Sequence, residues 1–367
     1  MIGPRRAGDG LAPPAAPVLV TGGAGFVGAN LADRLAGLGV RTIVYDSLVR
    51  PGVSRNLDWL KARHPELIDA RVADVRDADA LGAAVREAAT VYHLAAQVAV
   101  TTSLLKPADD FAVNCAATVS LLEAARRAKR PPRVVFTSTN KVYGGLSDVA
   151  VYAVGTRCEP FDPDLRDHGV GERRPLEFLS PYGCSKGAAD QYVLDYGRSY
   201  GFPTTVLRMS CVYGPRQRGN ADQGWVAHFL IRAMEGAAID IFGDGRQVRD
   251  VLEVSDLVEA LLAAGAPGSP LAGRAVNVGG GPRNAVSLLE MVARIGDLLG
   301  AQPTVRFGPP RPGDQRWYVS DIGRIEAETG WAPRIGVHDG LSRLHRWLAG
   351  ELAEAPRPVP LAAPGAV

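Results

Sequence analysis

The run Val18-Leu-Val-Thr-Gly-Gly-Ala-Gly-Phe-Val-Gly28 leaves this chain few folds to choose from. A short aliphatic strand runs into glycines, and the glycines run into an amphipathic helix. The spacing fits G-x-G-x-x-G through Gly23, Gly25 and Gly28, and equally G-x-x-G-x-x-G through Gly22, Gly25 and Gly28. Either way the missing Cβ atoms tighten the turn and let backbone approach a pyrophosphate. The helix start offers free N–H groups and the positive end of its dipole. Asp46 closes the next β-branched run, where a carboxylate accepts bonds from an adenosine ribose and repels a 2′-phosphate. This favours NAD over NADP, with nearby Arg50 moderating the preference.

The surrounding pattern agrees. Residues 18–21, 42–45, 70–73, 90–94 and 134–137 read as strands, and 26–38, 78–88 and 109–129 as helices. Repeated β-α-β implies an α/β fold with a doubly wound parallel Rossmann sheet. Residues 144–179 are rich in Gly, Pro and charge with little periodicity, which reads as a long functional or disordered insert. A helix over 181–200 and a strand over 204–209 follow, then short mixed elements to about residue 348. The expected organisation is a tail over 1–15, an NAD-binding unit over 16–200 carrying the insert at 144–179, and a mainly substrate-binding α/β unit over 201–350 with returning Rossmann segments. A second tail covers 351–367.

Composition narrows the function. With 41 basic and 39 acidic residues the net charge is +2, so a dedicated nucleic-acid or membrane-surface role is not expected. No apolar run reaches the ~18 residues of a membrane span. Arg5-Arg6 is followed by Gly and Pro, unlike an export signal. Cys115, Cys158, Cys184 and Cys211 form no CxxC pair, so they read as reduced thiols in a cytoplasmic protein, with no metal site.

Tyr182-Gly-Cys-Ser-Lys186 supplies the chemistry. Residues four apart share a helix face, so the phenol and the ammonium can point into one cleft. A nearby cation favours phenolate, making Tyr182 a base near neutral pH. Upstream, Thr137-Ser-Thr-Asn-Lys-Val-Tyr143 ends a strand, the place where open α/β sheets hold ligands, so Thr139 can bond the reacting hydroxyl. His93 ends the fourth strand and reads as structural.

Taken in order, T-G-G-x-G-F-V-G, Asp46, Asp74-Val-Arg, His93-Leu-Ala-Ala-Gln, S-T-N-K-V-Y-G and Y-x-x-x-K resemble the extended short-chain dehydrogenase/reductases of the NAD-dependent epimerase/dehydratase family, over about residues 17 to 348. The resemblance implies Thr139, Tyr182 and Lys186 as the catalytic set. It implies an NAD site built from Gly22, Gly25, Phe26, Val27, Gly28, Asp46, Ser47, Arg50, Asp74, Val75, Leu94, Ala95, Ala96, Gln97, Asn114 and Thr137, with Tyr182 and Lys186. Asn114 would support the central helix, and Lys186 would reach the nicotinamide ribose. Gln97, Thr102, Ser103, Thr139 and Asn140 are candidate sugar contacts. Arg216, Arg249 and Arg311, in Gly/Pro loops, are candidate diphosphate contacts, because a guanidinium fork suits phosphate. Trp225 can stack on a base, although a core position is the simpler reading.

Within the family, 4,6-dehydratases place an Asp-Glu pair after the catalytic Thr to eliminate water, and decarboxylases use a Glu there. Here Asn140-Lys141 follows. Gln97-Val-Ala-Val-Thr-Thr-Ser103, the stretch 180–191, Asp222-Gln-Gly-Trp225, Gly245-Arg-Gln-Val-Arg-Asp-Val251 and the 144–179 insert resemble the branch that inverts C2 of a CDP-linked hexose. Two departures stand out. Ser47 replaces a common Asn, and Cys211 replaces the Asn of sugar 4-epimerases. The implied activity is C2 epimerisation through a transient 2-keto sugar with captive NAD. Another nucleotide sugar, such as CDP-glucose or an antibiotic-pathway sugar, a dehydratase, or a non-enzymatic NAD-binding regulator stay open. Relatives pair through a helix bundle, so a homodimer or homotetramer is expected.

Overall fold

The structure is a computed structural model and describes residues 13–220, 222–311 and 314–354. The first half runs β1 (Val18–Thr21), α1 (Phe26–Gly37), β2 (Thr42–Asp46), α2 (Val53–Arg63), β3 (Ile68–Val72), α3 (Ala78–Glu87) and β4 (Thr90–His93). Then come α4 (Val100–Leu105), α5 (Pro107–Phe111), a π-helical turn (Ala112–Ala116), α6 (Ala117–Arg126), β5 (Arg133–Thr139) and a 3₁₀ turn (Asn140–Val142). The insert holds β6 (Val151–Val154), β7 (Arg157–Pro160) and α7 (Pro163–His168). After it run α8 (Ser180–Tyr200), β8 (Thr204–Met209), β9 (Cys211–Tyr213), α9 (Trp225–Met234), β10 (Ile239–Phe242), β11 (Val248–Glu253), α10 (Val254–Gly265) and β12 (Arg274–Val278). The last elements are β13 (Ala285–Ser287), α11 (Leu288–Leu299), β14 (Val305–Gly308), β15 (Trp317–Tyr318), α12 (Gly323–Thr329) and α13 (Val337–Glu354).

Seven parallel strands form the main sheet in the order β12-β8-β5-β4-β1-β2-β3. Strand order reverses between β1 and β4, which opens a crevice at their carboxyl ends. Both faces are covered. Leu19 packs with Leu81, Leu121 and Val193 under α3, α6 and α8. Val18 and Val20 point the other way, to Leu31, Leu35, Leu257 and Leu261 of α1 and α10. A strand buried on both faces has to be apolar throughout, which is why 18–20 reads as an unbroken run. The Rossmann reading therefore holds.

Three expectations change. The helix expected over 109–129 is divided into α5, the π turn and α6. The strand expected at 70–73 is β3, ending one residue earlier and starting two earlier, at the sheet edge. The insert is ordered. Its hairpin β6–β7 is antiparallel, Cys158 N donates to Arg246 O at 2.8 Å, and Val170 N to Val319 O at 2.7 Å. Val142, Leu146, Val170, Val248 and Trp317 form one apolar cluster that fastens it to the C-terminal strands. Residues 1–12 and 355–367 of the expected tails lie outside the described residues. Residues 351–354 continue α13, where Glu351 pairs with Arg218.

β9, β11, β13 and β15 make a second small sheet, and β10 pairs with β14. Their core is Val226, Phe229, Ile241, Val251, Met291, Ile295 and Leu344. A buried ion pair lies against the seven-stranded sheet, where the chain enters the insert. Arg208 donates to Asp190 at 2.9 and 3.0 Å and to the Tyr143 hydroxyl at 3.2 Å. Tyr143 passes its proton-bearing bond to Asn277 Oδ1 at 2.7 Å. Neutral or charged, each polar atom in this network has a partner, which is what keeps such burial from being prohibitive.

Candidate active site

The glycine loop joins β1 to α1. Gly22 has φ +68, and a Cβ there would lie 2.8 Å from Ala95 N. A Cβ on Gly28 would lie 2.1 Å from Gly22 O. These two glycines are demanded by the chain's own packing. Gly25 is the N-cap of α1 and gives no side-chain cap, so the first N–H groups of the helix face the crevice. That is a cradle built for an anion. Asp46 ends β2 beside it, accepting from Ala24 N at 3.1 Å and Leu48 N at 2.9 Å. Ser47 follows it, partly buried. Phe26 and Val27 open α1, while Leu94, Ala95 and Ala96 follow β4 across the crevice. Leu94 N donates to Thr21 O at 3.1 Å. Asp74 and Val75 follow β3. Asp74 is held below the usual carboxylate range by Arg76, which grips it at 2.7 and 3.0 Å.

Thr139, Tyr182 and Lys186 converge at the carboxyl end of β5. All three are buried, and Thr139 lies near enough to the Tyr182 phenol to favour its ionised form, against the larger effect of burial. Lys186 Nζ donates to Thr137 O at 2.6 Å and lies 4.1 Å from the Phe136 ring centroid. One expectation fails here. Tyr182 is pushed up to about 12, mainly by burial, and Lys186 down to about 7, also by burial. The ammonium is spent on a strand carbonyl and an aromatic face, so in the protein alone Tyr182 is a neutral phenol. His93 takes Thr21 and Thr118 hydroxyls at 2.7 and 3.0 Å, and burial lowers it to about 3, so it is a neutral structural imidazole.

Lys186 carries a pH signature. It is charged in the unfolded chain up to its ordinary 10.5, but in the folded chain only up to about 7. Between those values the unfolded state binds more protons, so stability rises with pH. We expect NAD-free wild type to gain melting temperature from pH 7 to 10 relative to Lys186→Met, measured by calorimetry. Parallel curves would refute it.

Several predicted ligand contacts have other employment. Gln97 braces its own loop, donating to Ala99 O at 2.8 Å and Asp110 at 3.0 Å. Asn114, in the π turn, accepts from Gln97 N at 2.9 Å and donates to Ser185 Oγ at 3.1 Å, so it ties the β4 loop to α8. The Ser103 hydroxyl accepts from Tyr182 N at 3.2 Å and donates to Val100 O at 2.7 Å, so it helps hold the start of the catalytic helix. Thr102 is exposed on α4. Arg216 stacks on Trp59 of α2, 3.1 Å from the ring centroid. The segment it belongs to crosses to α1 and β2 as well: Asn30 Nδ2 donates to Pro215 O at 3.1 Å, and Arg50 to Gln223. Arg311 lies 4.0 Å from the Phe242 ring centroid. Trp225 packs edge-on to Phe229, a core role.

Arg249 lies on strand β11 and not in a loop as expected, buried and paired with Asp314 at 2.6 Å. The sequence reading missed its neighbours. Gln315, fully buried, accepts from Asn140 Nδ2 at 3.5 Å and Lys141 Nζ at 3.3 Å, and donates to Gly144 O at 2.7 Å. The signal available was position: Lys141 lies two residues after Thr139. A cavity of about 340 Å³ opens alongside, lined by Gly145, Leu179, Glu177, Asp314 and Trp317.

Comparison with known proteins decides the family. Residues 18–279 match the model of the NAD dependent epimerase/dehydratase family. The chain belongs to that family. Its cofactor is therefore NAD, in keeping with the glycine cradle and Asp46. The chain is 39% identical to CDP-paratose 2-epimerase of Salmonella typhi over 90% of its own length and 98% of that protein. It is 33% identical to UDP-glucose 4-epimerase of Mycolicibacterium smegmatis, over 89% and 96%. Among solved structures it superposes on Thermus thermophilus UDP-glucose 4-epimerase in complex with NAD, with TM-score 0.76 and 32% identity, covering 91% and 99%. Among the described residues no helix of this family member is long and apolar enough to cross a membrane, no group of side chains could hold a metal, and all four cysteines are free.

Proposed function

We propose that this enzyme inverts C2 of a CDP-linked hexose, as the name of its Salmonella relative describes for that protein. One observation carries the choice within the family. The residues that follow Thr139 into the cleft are Asn140 and Lys141, with no carboxylate to eliminate water. NAD, when bound, supplies the hydride acceptor and donor at the sugar carbon. The chain's residues handle the proton. The Tyr182 oxygen takes it from the sugar hydroxyl and returns it, with Thr139 beside it. Because burial keeps the phenol neutral, its ionisation is driven by charge that arrives with the ligands. Lys186 is fixed beneath by Thr137. Since the cycle is redox-neutral, the cofactor stays bound.

The test uses purified protein with no added NAD, given CDP-paratose and CDP-glucose in separate tubes and followed by proton NMR. Inversion at C2 supports the reading, and the faster tube identifies the sugar. A 4-keto product would mark a dehydratase. No change with NAD supplied would send the search to other nucleotide sugars.

The same reading places the enzyme in the reducing cytoplasm as a homodimer or homotetramer. Leu105 is 83% exposed and Leu104 and Phe111 more than half exposed, on α4 and α5. An apolar patch on two adjacent helices suits a second copy. We expect Leu105→Glu with Phe111→Glu to lower the sedimenting mass to that of a monomer; an unchanged mass would exclude this face.

A further inference from the structure

Lys141 is the cation that the proton chemistry above leaves without a task. It sits in the 3₁₀ turn that leaves β5, and its backbone N–H donates to the Thr139 hydroxyl oxygen at 3.2 Å. Its ammonium reaches across to the C-terminal region and meets a neutral amide oxygen, Gln315 Oε1, at 3.3 Å. An ammonium has three donors, and a buried one normally finds a carboxylate. The carboxylate close enough to act on it, Asp314, is gripped by Arg249 at 2.6 Å. Burial and the Arg249 charge both push Lys141 down. Two cations and one carboxylate therefore share this wall of the cleft. Cys211 on β9 feels both cations and brings no charge of its own to balance them at neutral pH, since burial raises its thiol. A pocket with a surplus positive charge two residues from the catalytic threonine is matched to an anion held close to the reacting carbon.

The position of that anion depends on which carbon reacts. In a nucleotide sugar the diphosphate hangs from C1. With C2 at Tyr182, the phosphate nearest the sugar hangs from the carbon next to the reacting one, close to Thr139, which the Lys141 backbone contacts at 3.2 Å. With C4 at Tyr182, it lies across the ring. We propose that Lys141 is a substrate-binding residue that, with Arg249, holds the phosphate nearest the sugar, and so presents C2 rather than C4 to Tyr182. Gln315 is its resting partner and gives way when the phosphate arrives. The proposal rests on the nucleotide-sugar reading above and adds the residue that sets its regiochemistry.

The experiment is calorimetric binding to the NAD-loaded enzyme, with CDP, UDP and dTDP each compared with its monophosphate. The terminal phosphate of the diphosphate stands for the phosphate nearest the sugar. Wild type should bind one diphosphate more tightly than its monophosphate. Lys141→Met and Lys141→Gln should weaken that diphosphate about 10- to 100-fold, the loss expected of one charge-assisted contact. Binding of the monophosphate should be unchanged, and retained NAD shows that each variant is folded. If both variants keep the wild-type preference for diphosphate, or lose both ligands equally, the role of Lys141 is overturned while the nucleotide-sugar reading stands. If wild type itself shows no preference for any diphosphate, the reading of the substrate falls, and this proposal with it.

Discussion

Tyr182→Phe should lower epimerisation by about a thousandfold while the purified protein still carries its NAD. The substitution removes one oxygen from a ring that is 8% exposed, so packing is preserved. What is lost is the phenol oxygen next to Thr139 at the carboxyl end of β5. General acid–base catalysis contributes about 10² to 10⁴ in such sites. The measurement is single-turnover kinetics with the absorbance of reduced nicotinamide followed alongside sugar inversion. Wild type should pass through reduced cofactor and return. The variant should show neither phase on the same timescale. Turnover within about tenfold of wild type would remove Tyr182 as the base and would favour a role for the chain as an NAD-binding protein without this chemistry.

The second large effect concerns two glycines of one helix. Gly28 and Gly37 both lie in α1. A Cβ at Gly28 would meet Gly22 O at 2.1 Å and Gly23 Cα at 2.7 Å, both backbone, so nothing can swing aside. At Gly37 nothing lies within 4 Å. Gly28→Ala should therefore push the phosphate loop off its path, and the protein should purify without NAD. Gly37→Ala should keep the cofactor and gain about 0.5–1 kcal/mol, as alanine does over glycine in a helix. Cofactor content per chain and thermal melting read both. Retention of NAD by Gly28→Ala would mean that the loop does not hold the pyrophosphate as described.

How much of this was legible in the sequence depends on the range of the interaction that decides it. β1 was placed to the residue because a strand buried on both faces is apolar along its run, and β8 by the β-branched and aliphatic residues around its Arg208. The glycine loop, Asp46 and the Tyr182–Lys186 pair were legible from local spacing, whereas Thr139, on the other side of the insert, was placed by its strand end and by the family resemblance. α2 was missed: it begins behind Pro51-Gly52 and buries only Asn56, Leu57 and Leu60. The π turn was hidden inside what reads as one long helical pattern. Gln97 and Ser103 have the right chemistry for a sugar, but their hydrogen bonds are taken by Asp110 and Tyr182 N. Nothing in a residue's type shows that a neighbour has already claimed it. Arg216 and Arg249 both read as loop arginines in sequence, yet Arg216 lies on Trp59 while Arg249 is part of β11 and pairs with Asp314. Gln315 meets Lys141 across 174 residues of chain, a distance no motif spans.

The π turn at Ala112–Ala116 also makes the chain's length, and not only its residue types, part of the site. A π turn holds one residue more than an α turn. Deleting a single residue there would let α5 and α6 join as an ordinary helix with their outer faces kept, because the π turn takes up the extra residue without turning one segment relative to the other. What would move is the turn itself: Asn114 would lose the bulged position from which it reaches Gln97 N and Ser185 Oγ. Substitution scanning across this stretch tests composition alone, whereas a one-residue deletion would uncouple the β4 loop from the catalytic helix at a single stroke.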